Sequence, residues 1–145
     1  VDHVEAAHSE GARDSGFLGD ALMKLTAYRL ATELATATWE DGTELSEDSR
    51  TRALAPQLVL AVGSIGANIA EGYSRLSGRD RVRFFEYALG STRESVHWYH
   101  VAGPLLSPAV RLARANTLSR IRQLLLATIA NERQAMPVKP NASGG

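Results

Sequence analysis

Residues 64–75, SIGANIAEGYSR, place an amide and a carboxylate, Asn68 and Glu71, three positions apart in a run otherwise dominated by Ala, Ile, Val and Leu. Farther along, Glu94-Ser-Val-His97 supplies a Glu-x-x-His. On helices these spacings put each pair on one face, and a Glu-x-x-His that points into a bundle is one part of the ligand set of a di-metal carboxylate centre. That chemistry also needs a second such motif and two further carboxylates. Asn68-Ile-Ala-Glu71 brings no histidine, the first and fourth predicted helices offer no second Glu-x-x-His, and His100 has no carboxylate set beside it. A metal-dependent enzyme built on Glu71, Glu94 and His97 is therefore the remote reading. No Ser sits on a strand-to-helix elbow, and Gly-x-x-x-x-Gly-Lys is absent, which removes hydrolase and P-loop readings.

The competing reading is structural. Ser64, Asn68, Glu71 and Arg75 step by four, three and four, so they form one line on a helix. Tyr87, Ser91, Glu94 and Trp98 repeat the same steps. Buried amides and carboxylates must be hydrogen-bonded. Two such lines on neighbouring helices can satisfy one another as a polar seam of Ser64, Asn68, Glu71, Gly72, Gly90, Ser91 and Glu94. Glycine inside a helix costs about 1 kcal/mol relative to alanine, so Gly63, Gly66 and Gly90 read as points of close backbone approach.

These residues need helices to hold them. Aromatics make up 6% of the 145 residues, and β-branched residues never alternate as in strands. The apolar spacing predicts an all-α, up-down antiparallel four-helix bundle. Its helices are expected over 17–39, 49–73, 79–102, with Val82, Phe85, Leu89 and Val96 on its core side, and 108–135, with Leu118, Ile121, Leu125 and Ile129 as its stripe. The acidic stretch EDGTELSEDS reads as the first connection, SRLSGRD as the second, and GPLLSP as the third, where Ser107-Pro108 is an N-cap and first-position pair. Residues 1–16 read as a flexible arm, 17–135 as the bundle domain and 136–145 as a flexible tail. Leu124-Leu125-Leu126 supplies more apolar surface than one core-facing stripe needs, which predicts contact with another subunit.

There is no cysteine, so disulfides and thiolate metal sites are excluded. No cofactor is expected. No apolar run is counted as reaching the ~18–20 residues of a membrane span, and no signal peptide is recognised, so the expected location is the cytoplasm, away from membranes. The formal net charge is zero, yet it runs from −7 over residues 1–50 through +2 over 51–100 to +5 over 101–145. Fourteen of the sixteen basic residues are Arg, the side chain suited to bidentate contacts with phosphate and carboxylate. Acidic and basic helices can neutralise each other, or the arginines can meet a polyanion. Arg75, Arg79 and Arg83 step by four and form a candidate nucleic-acid-binding set.

The motif S-x-x-x-N-I-A-E-G at 64–72, with Arg75 after it and F-x-x-x-A-x-G-S-x-x-E at 84–94, resembles the signature of the bacterial four-helix proteins called 23S rRNA intervening-sequence proteins. The likeness extends over roughly residues 20–135 and includes Gln57; Gly66 and Tyr73 stand where that family often has proline and phenylalanine. The resemblance implies a bundle that closes into a homo-oligomeric ring, commonly a pentamer. It also implies kinship with accessory proteins of the reverse transcriptases of diversity-generating retroelements, whose basic ring surface contacts RNA or DNA and the polymerase. No catalytic residue is established for the family. The expected function is thus non-enzymatic: a ring-forming bundle associated with nucleic acid or a reverse transcriptase. The alternative is a purely protein-binding oligomeric scaffold.

Overall fold

The computed structural model describes residues 21–138; the predicted arm at 1–16 and residues 139–145 of the predicted tail lie outside the described residues. A short 3-10 turn, Ala21–Lys24, leads into four helices: α1 (Thr26–Glu47), α2 (Leu54–Ser74), α3 (Gly78–Ala102) and α4 (Pro108–Ala135). No strand occurs among the described residues. The protein is an all-α four-helix bundle. α2 packs most extensively on α3, then α1 on α2 and α3 on α4, and a thinner α1–α4 contact closes the set. The antiparallel sense is visible in pairs that join opposite ends: Arg81 near the start of α3 reaches Glu132 near the end of α4 at 3.0 Å, and Arg114 early in α4 reaches Asp41 late in α1 at 2.7 Å.

Local chemistry sets the helix ends. Ser77 caps α3 by accepting from the Asp80 N–H at 3.1 Å. Ser107 does the same for α4 through the Val110 N–H at 3.2 Å, with Pro108 at the first helical position. The first connection differs from the expectation of 40–49. α1 continues through Trp39-Glu-Asp-Gly-Thr-Glu-Leu-Ser-Glu47, and the turn is confined to residues 48–53. Its hydrogen bonds go back to the end of α1: Thr51 Oγ1 donates to the Leu45 carbonyl at 2.7 Å and Arg52 Nε to the Ser46 carbonyl at 3.0 Å. α2 then starts at Leu54, without a side-chain cap. Pro56, its third residue, lies among the first four N–H positions that have no helical partner, so it removes no helical bond.

The core takes Leu34 and Leu45 from α1, Leu58, Ile65 and Ile69 from α2, and Phe85 and Leu89 from α3. The predicted α4 stripe of Leu118, Ile121, Leu125 and Ile129 is buried in full. Val96, predicted for the core, is half exposed. Leu125 alone of the triple leucine is fully buried, while Leu126 is exposed.

The larger surplus of apolar surface is on α2. Ala53 to Ala70 is eighteen residues without a charge. By length and composition α2 would suffice to cross a membrane, contrary to the expectation that no run reaches that length. Its inner face is taken by the bundle core.

Candidate functional site

The polar lines on α2 and α3 do not bond to each other within the chain. Ser64 Oγ donates to the Leu60 carbonyl at 2.8 Å, and Asn68 Nδ2 to the Ser64 carbonyl at 2.9 Å. Glu71 pairs with Arg75 one turn on, and Glu94 accepts from Trp98 Nε1 at 3.2 Å. Ser91 takes part through its carbonyl, which accepts from Ser95 Oγ at 2.8 Å. Each of these side-chain bonds is therefore made within its own helix or, for Glu71, with the Arg75 that caps it, which corrects the expectation of a seam satisfied across α2 and α3. The physical reason is orientation: Glu94 is exposed, and Ser64, Asn68, Glu71 and Ser91 are only half-buried. Glu71, Glu94 and His97 do not converge either. Among the described residues no group of three or more His, Asp or Glu side chains is placed to hold a metal ion.

The two seam glycines differ. Gly72 is buried, and a Cβ there would lie 2.8 Å from the Phe85 ring and 3.2 Å from Phe84 Cβ. It is a point of close approach between α2 and α3. A Cβ at Gly90, and likewise at Gly63, would meet nothing within 4 Å.

Two of the three candidate arginines are engaged. Arg75 pairs with Glu71, and Arg83 with Asp80 at 3.4 Å. Both guanidiniums lie over the Phe84 ring, 4.8 and 5.3 Å from its centroid, where cation–π attraction adds to the pairing. Arg79 is exposed and has no ion pair among the described residues.

The buried polar cluster lies elsewhere, and sequence reading missed it. Asp41, 4% exposed, sits in the part of α1 predicted to be a connection. Its carboxylate accepts from the Tyr99 hydroxyl of α3 at 2.6 Å and from Arg114 Nε and Nη2 of α4 at 2.7 and 3.1 Å. Thr38 Oγ1 is 2.9 Å from the Tyr99 oxygen and 2.7 Å from the Leu34 carbonyl. The tyrosine proton goes to the carboxylate, which can only accept, so the single Thr38 hydroxyl proton is shared between the Leu34 carbonyl and the Tyr99 oxygen. Burial, reinforced by the bond to Asp41, pushes the Tyr99 hydroxyl well above its ordinary pKa. The same carboxylate holds the Arg114 guanidinium above its usual value. A buried carboxylate held by three donors from two other helices fixes helix positions. The available signal was spacing: Thr38, Asp41 and Leu45 continue the buried side of α1 begun by Ala31 and Leu34.

An open groove of about 480 Å³ lies between α3 and α4. Arg93, His100, Arg111 and Arg122 line it together with Val96 and Leu118. None of the three arginines has an ion pair among the described residues. Three unneutralised arginines thus face one cavity, and the sequence motifs did not point to it.

The family model described as 23S rRNA-intervening sequence protein matches residues 23–106. A crystal structure from Bacteroides thetaiotaomicron, of a protein of unknown function from the S23 ribosomal protein family, is similar with a TM-score of 0.66 at 21% sequence identity. The similarity covers 72% of this chain and 95% of that one. At this identity the likeness speaks for the fold alone. No curated protein matches the chain.

Proposed function

The chain belongs to the 23S rRNA-intervening sequence protein family, and from that membership we propose a non-enzymatic bundle that closes into a homo-oligomeric ring and acts as an accessory to nucleic acid. The observation that carries the proposal is the outer face of α2. Leu60 is 67% exposed and Val59 38%, on a helix without a charge from Leu54 to Ala70. Contiguous exposed apolar surface of this kind marks interaction sites, and assembly interfaces are large and apolar. Gly63 lies on the same exposed side and has no neighbour in its own chain that demands a glycine. Its helix-weakening cost of about 1 kcal/mol relative to alanine makes sense where a second backbone comes close.

Five copies is the number implied by the resemblance described above, and a reverse transcriptase is the protein partner it implies. Support for the nucleic-acid role comes from Arg79, Arg93, Arg111, Arg120 and Arg122, which are unpaired among the described residues. Repeated around a ring, such residues form a multivalent basic surface, and avidity can add ~10²–10⁴ in affinity. Light scattering on the wild type at micromolar concentration tests the assembly. A defined oligomer that Leu60→Glu dissociates is the expected result, and a monomeric wild type overturns the proposal.

A second reading, a protein-binding scaffold without nucleic acid, is favoured by one observation. Glu33, Glu40, Glu44 and Glu47 step by seven, four and three along α1, so they form one exposed stripe with no ion pair among the described residues. A neighbouring copy could place its free arginines there. Fluorescence anisotropy with single-stranded RNA and duplex DNA at ~50 and ~200 mM salt separates the two, since phosphate contacts weaken steeply with salt. Absence of binding at the lower salt selects the scaffold.

A further inference from the structure

We propose that the groove between α3 and α4 binds a short run of single-stranded nucleic acid, with phosphates at its two cationic ends and a base over its apolar middle. The proposal rests on the nucleic-acid reading above for the class of polymer. The placement along the bundle rests on the groove alone.

The two ends follow from helix geometry. Arg111 and Arg122 line the groove from α4 and are eleven residues apart, which returns them to nearly the same face, roughly 16 Å apart along the axis. Arg93 and His100 line it from α3, seven residues and roughly 10 Å apart. The helices run in opposite senses, so Arg111 faces the end of α3 and Arg122 lies toward Arg93. Gly103 marks the first end, where the Arg111 stem lies against the end of α3 with its Cδ 3.4 Å from where a Cβ on Gly103 would sit.

Between these ends the lining is mainly apolar, with Val96, Ala115 and Leu118 beside the Ser119 hydroxyl. Val96 is 49% exposed and Leu118 lies beneath at 1%. The Tyr99 hydroxyl is already given to Asp41, which leaves the groove the ring and not the phenol. His100 is exposed beside this floor and offers a flat ring on which a base can stack.

This arrangement selects among anions. One small phosphate cannot touch both cationic ends at once. An acidic peptide supplies charge but no flat body to cover the floor. A duplex presents phosphates while keeping its bases stacked inside. A single strand supplies repeated phosphates and a free base together, the combination that aromatic and cationic grooves use to bind strands without reading their sequence.

The test is anisotropy and calorimetry on the full chain with four probes: AMP, a trinucleotide, a 12-nucleotide single-stranded RNA and a 12-base-pair duplex. The expected order is RNA strand and trinucleotide well above AMP, with the duplex weaker than the strand. Arg93→Glu with Arg122→Glu, both surface residues, should reduce strand affinity by more than tenfold while circular dichroism and oligomer mass stay unchanged. The double variant should also flatten the salt dependence by about 0.7 in log–log slope for each phosphate it no longer neutralises. Arg29→Glu, exposed on α1 and outside the groove, is the control and should retain binding. Strand binding that survives the groove variant, or falls equally with Arg29→Glu, overturns the groove while leaving the nucleic-acid role standing. Failure of the wild type to bind any strand overturns both, and AMP binding equal to the trinucleotide overturns the two-ended site.

Discussion

The Tyr99 hydroxyl on α3 donates to Asp41 Oδ2 on α1 at 2.6 Å, and Arg114 Nε on α4 donates to the same oxygen at 2.7 Å. Three helices thereby meet on one buried charge. Leucine contacts tolerate sliding of one helix along another, whereas this set of directional bonds is satisfied at a single relative height. α2 takes no part in it, and its register against α3 is set instead by Gly72 under the Phe85 ring.

Removal of the carboxylate should therefore cost more than its own contacts. Asp41→Ala leaves a buried Tyr99 hydroxyl without its acceptor and Arg114, 19% exposed, without its counter-ion. Each unsatisfied group costs about 1–3 kcal/mol. A double-mutant cycle of Asp41→Ala and Arg114→Ala, read by chemical denaturation, should give a coupling of about 0.5–3 kcal/mol. Additive losses would mean that the pair contributes nothing jointly.

Tyr99 also predicts the alkaline limit of the fold. Its folded pKa is raised above the ordinary 10.0, first by burial and then by Asp41. A group raised in this sense gives stability that is complete below its unfolded pKa and is lost as pH climbs from there toward the folded value. Stability should fall from about pH 10 upward, and Tyr99→Phe should remove that slope, at the cost of one hydrogen bond at neutral pH. Denaturation midpoints at pH 8, 10 and 11 in both proteins check this; parallel decline would assign the alkaline loss to other groups.

The two glycines of the shared motif give opposite expectations. In Gly72→Ala the new Cβ falls 2.8 Å from the Phe85 ring, so α2 and α3 must separate or the ring must turn, and overpacking of this kind costs about 1–3 kcal/mol. In Gly90→Ala the Cβ meets nothing within 4 Å, and the helix gains up to about 1 kcal/mol. Thermal denaturation of the subunit should move down for the first and up for the second. A Gly90→Ala variant that is stable yet assembles poorly would place another copy against this face.

The bundle was legible because each helix carries its own period. Leu118, Ile121, Leu125 and Ile129 mark the inside of α4 from sequence alone, and Ser107-Pro108 marks its start. The buried cluster was not legible, for a physical reason that lies in tertiary context. Asp41-Gly42 has the composition of a turn, and a carboxylate at a core position predicts against a helix until its partner is known. That partner, Arg114, is 73 residues away. Gly42 fits the helix because it is buried where a Cβ would press to 3.0 Å on Val59, a contact no local pattern reveals. The groove was hidden for the same reason: Arg93 and Arg111 become neighbours of one cavity only when α3 and α4 pack side by side.

Asn68 and Glu71, the pair whose spacing suggested chemistry, carry a different expectation in the folded chain. If they bridged helices in a dry interface, truncation would strand a partner and cost about 1–3 kcal/mol per group. The structure instead gives Asn68 a bond to the Ser64 carbonyl on its own helix, and gives Glu71 the exposed Arg75 one turn away. An exposed pair at this spacing contributes about 0.3–0.5 kcal/mol. Asn68→Ala and Glu71→Ala should therefore shift subunit stability by less than about 0.5 kcal/mol each, measured by denaturant titration at a dilution where light scattering gives the monomer mass. At concentrations where the proposed ring forms, any larger loss must come from contacts between copies. A large loss in the dilute subunit would return both residues to the interior of the bundle, whereas a loss that appears only with assembly would place this half-exposed line on the interface of the proposed ring.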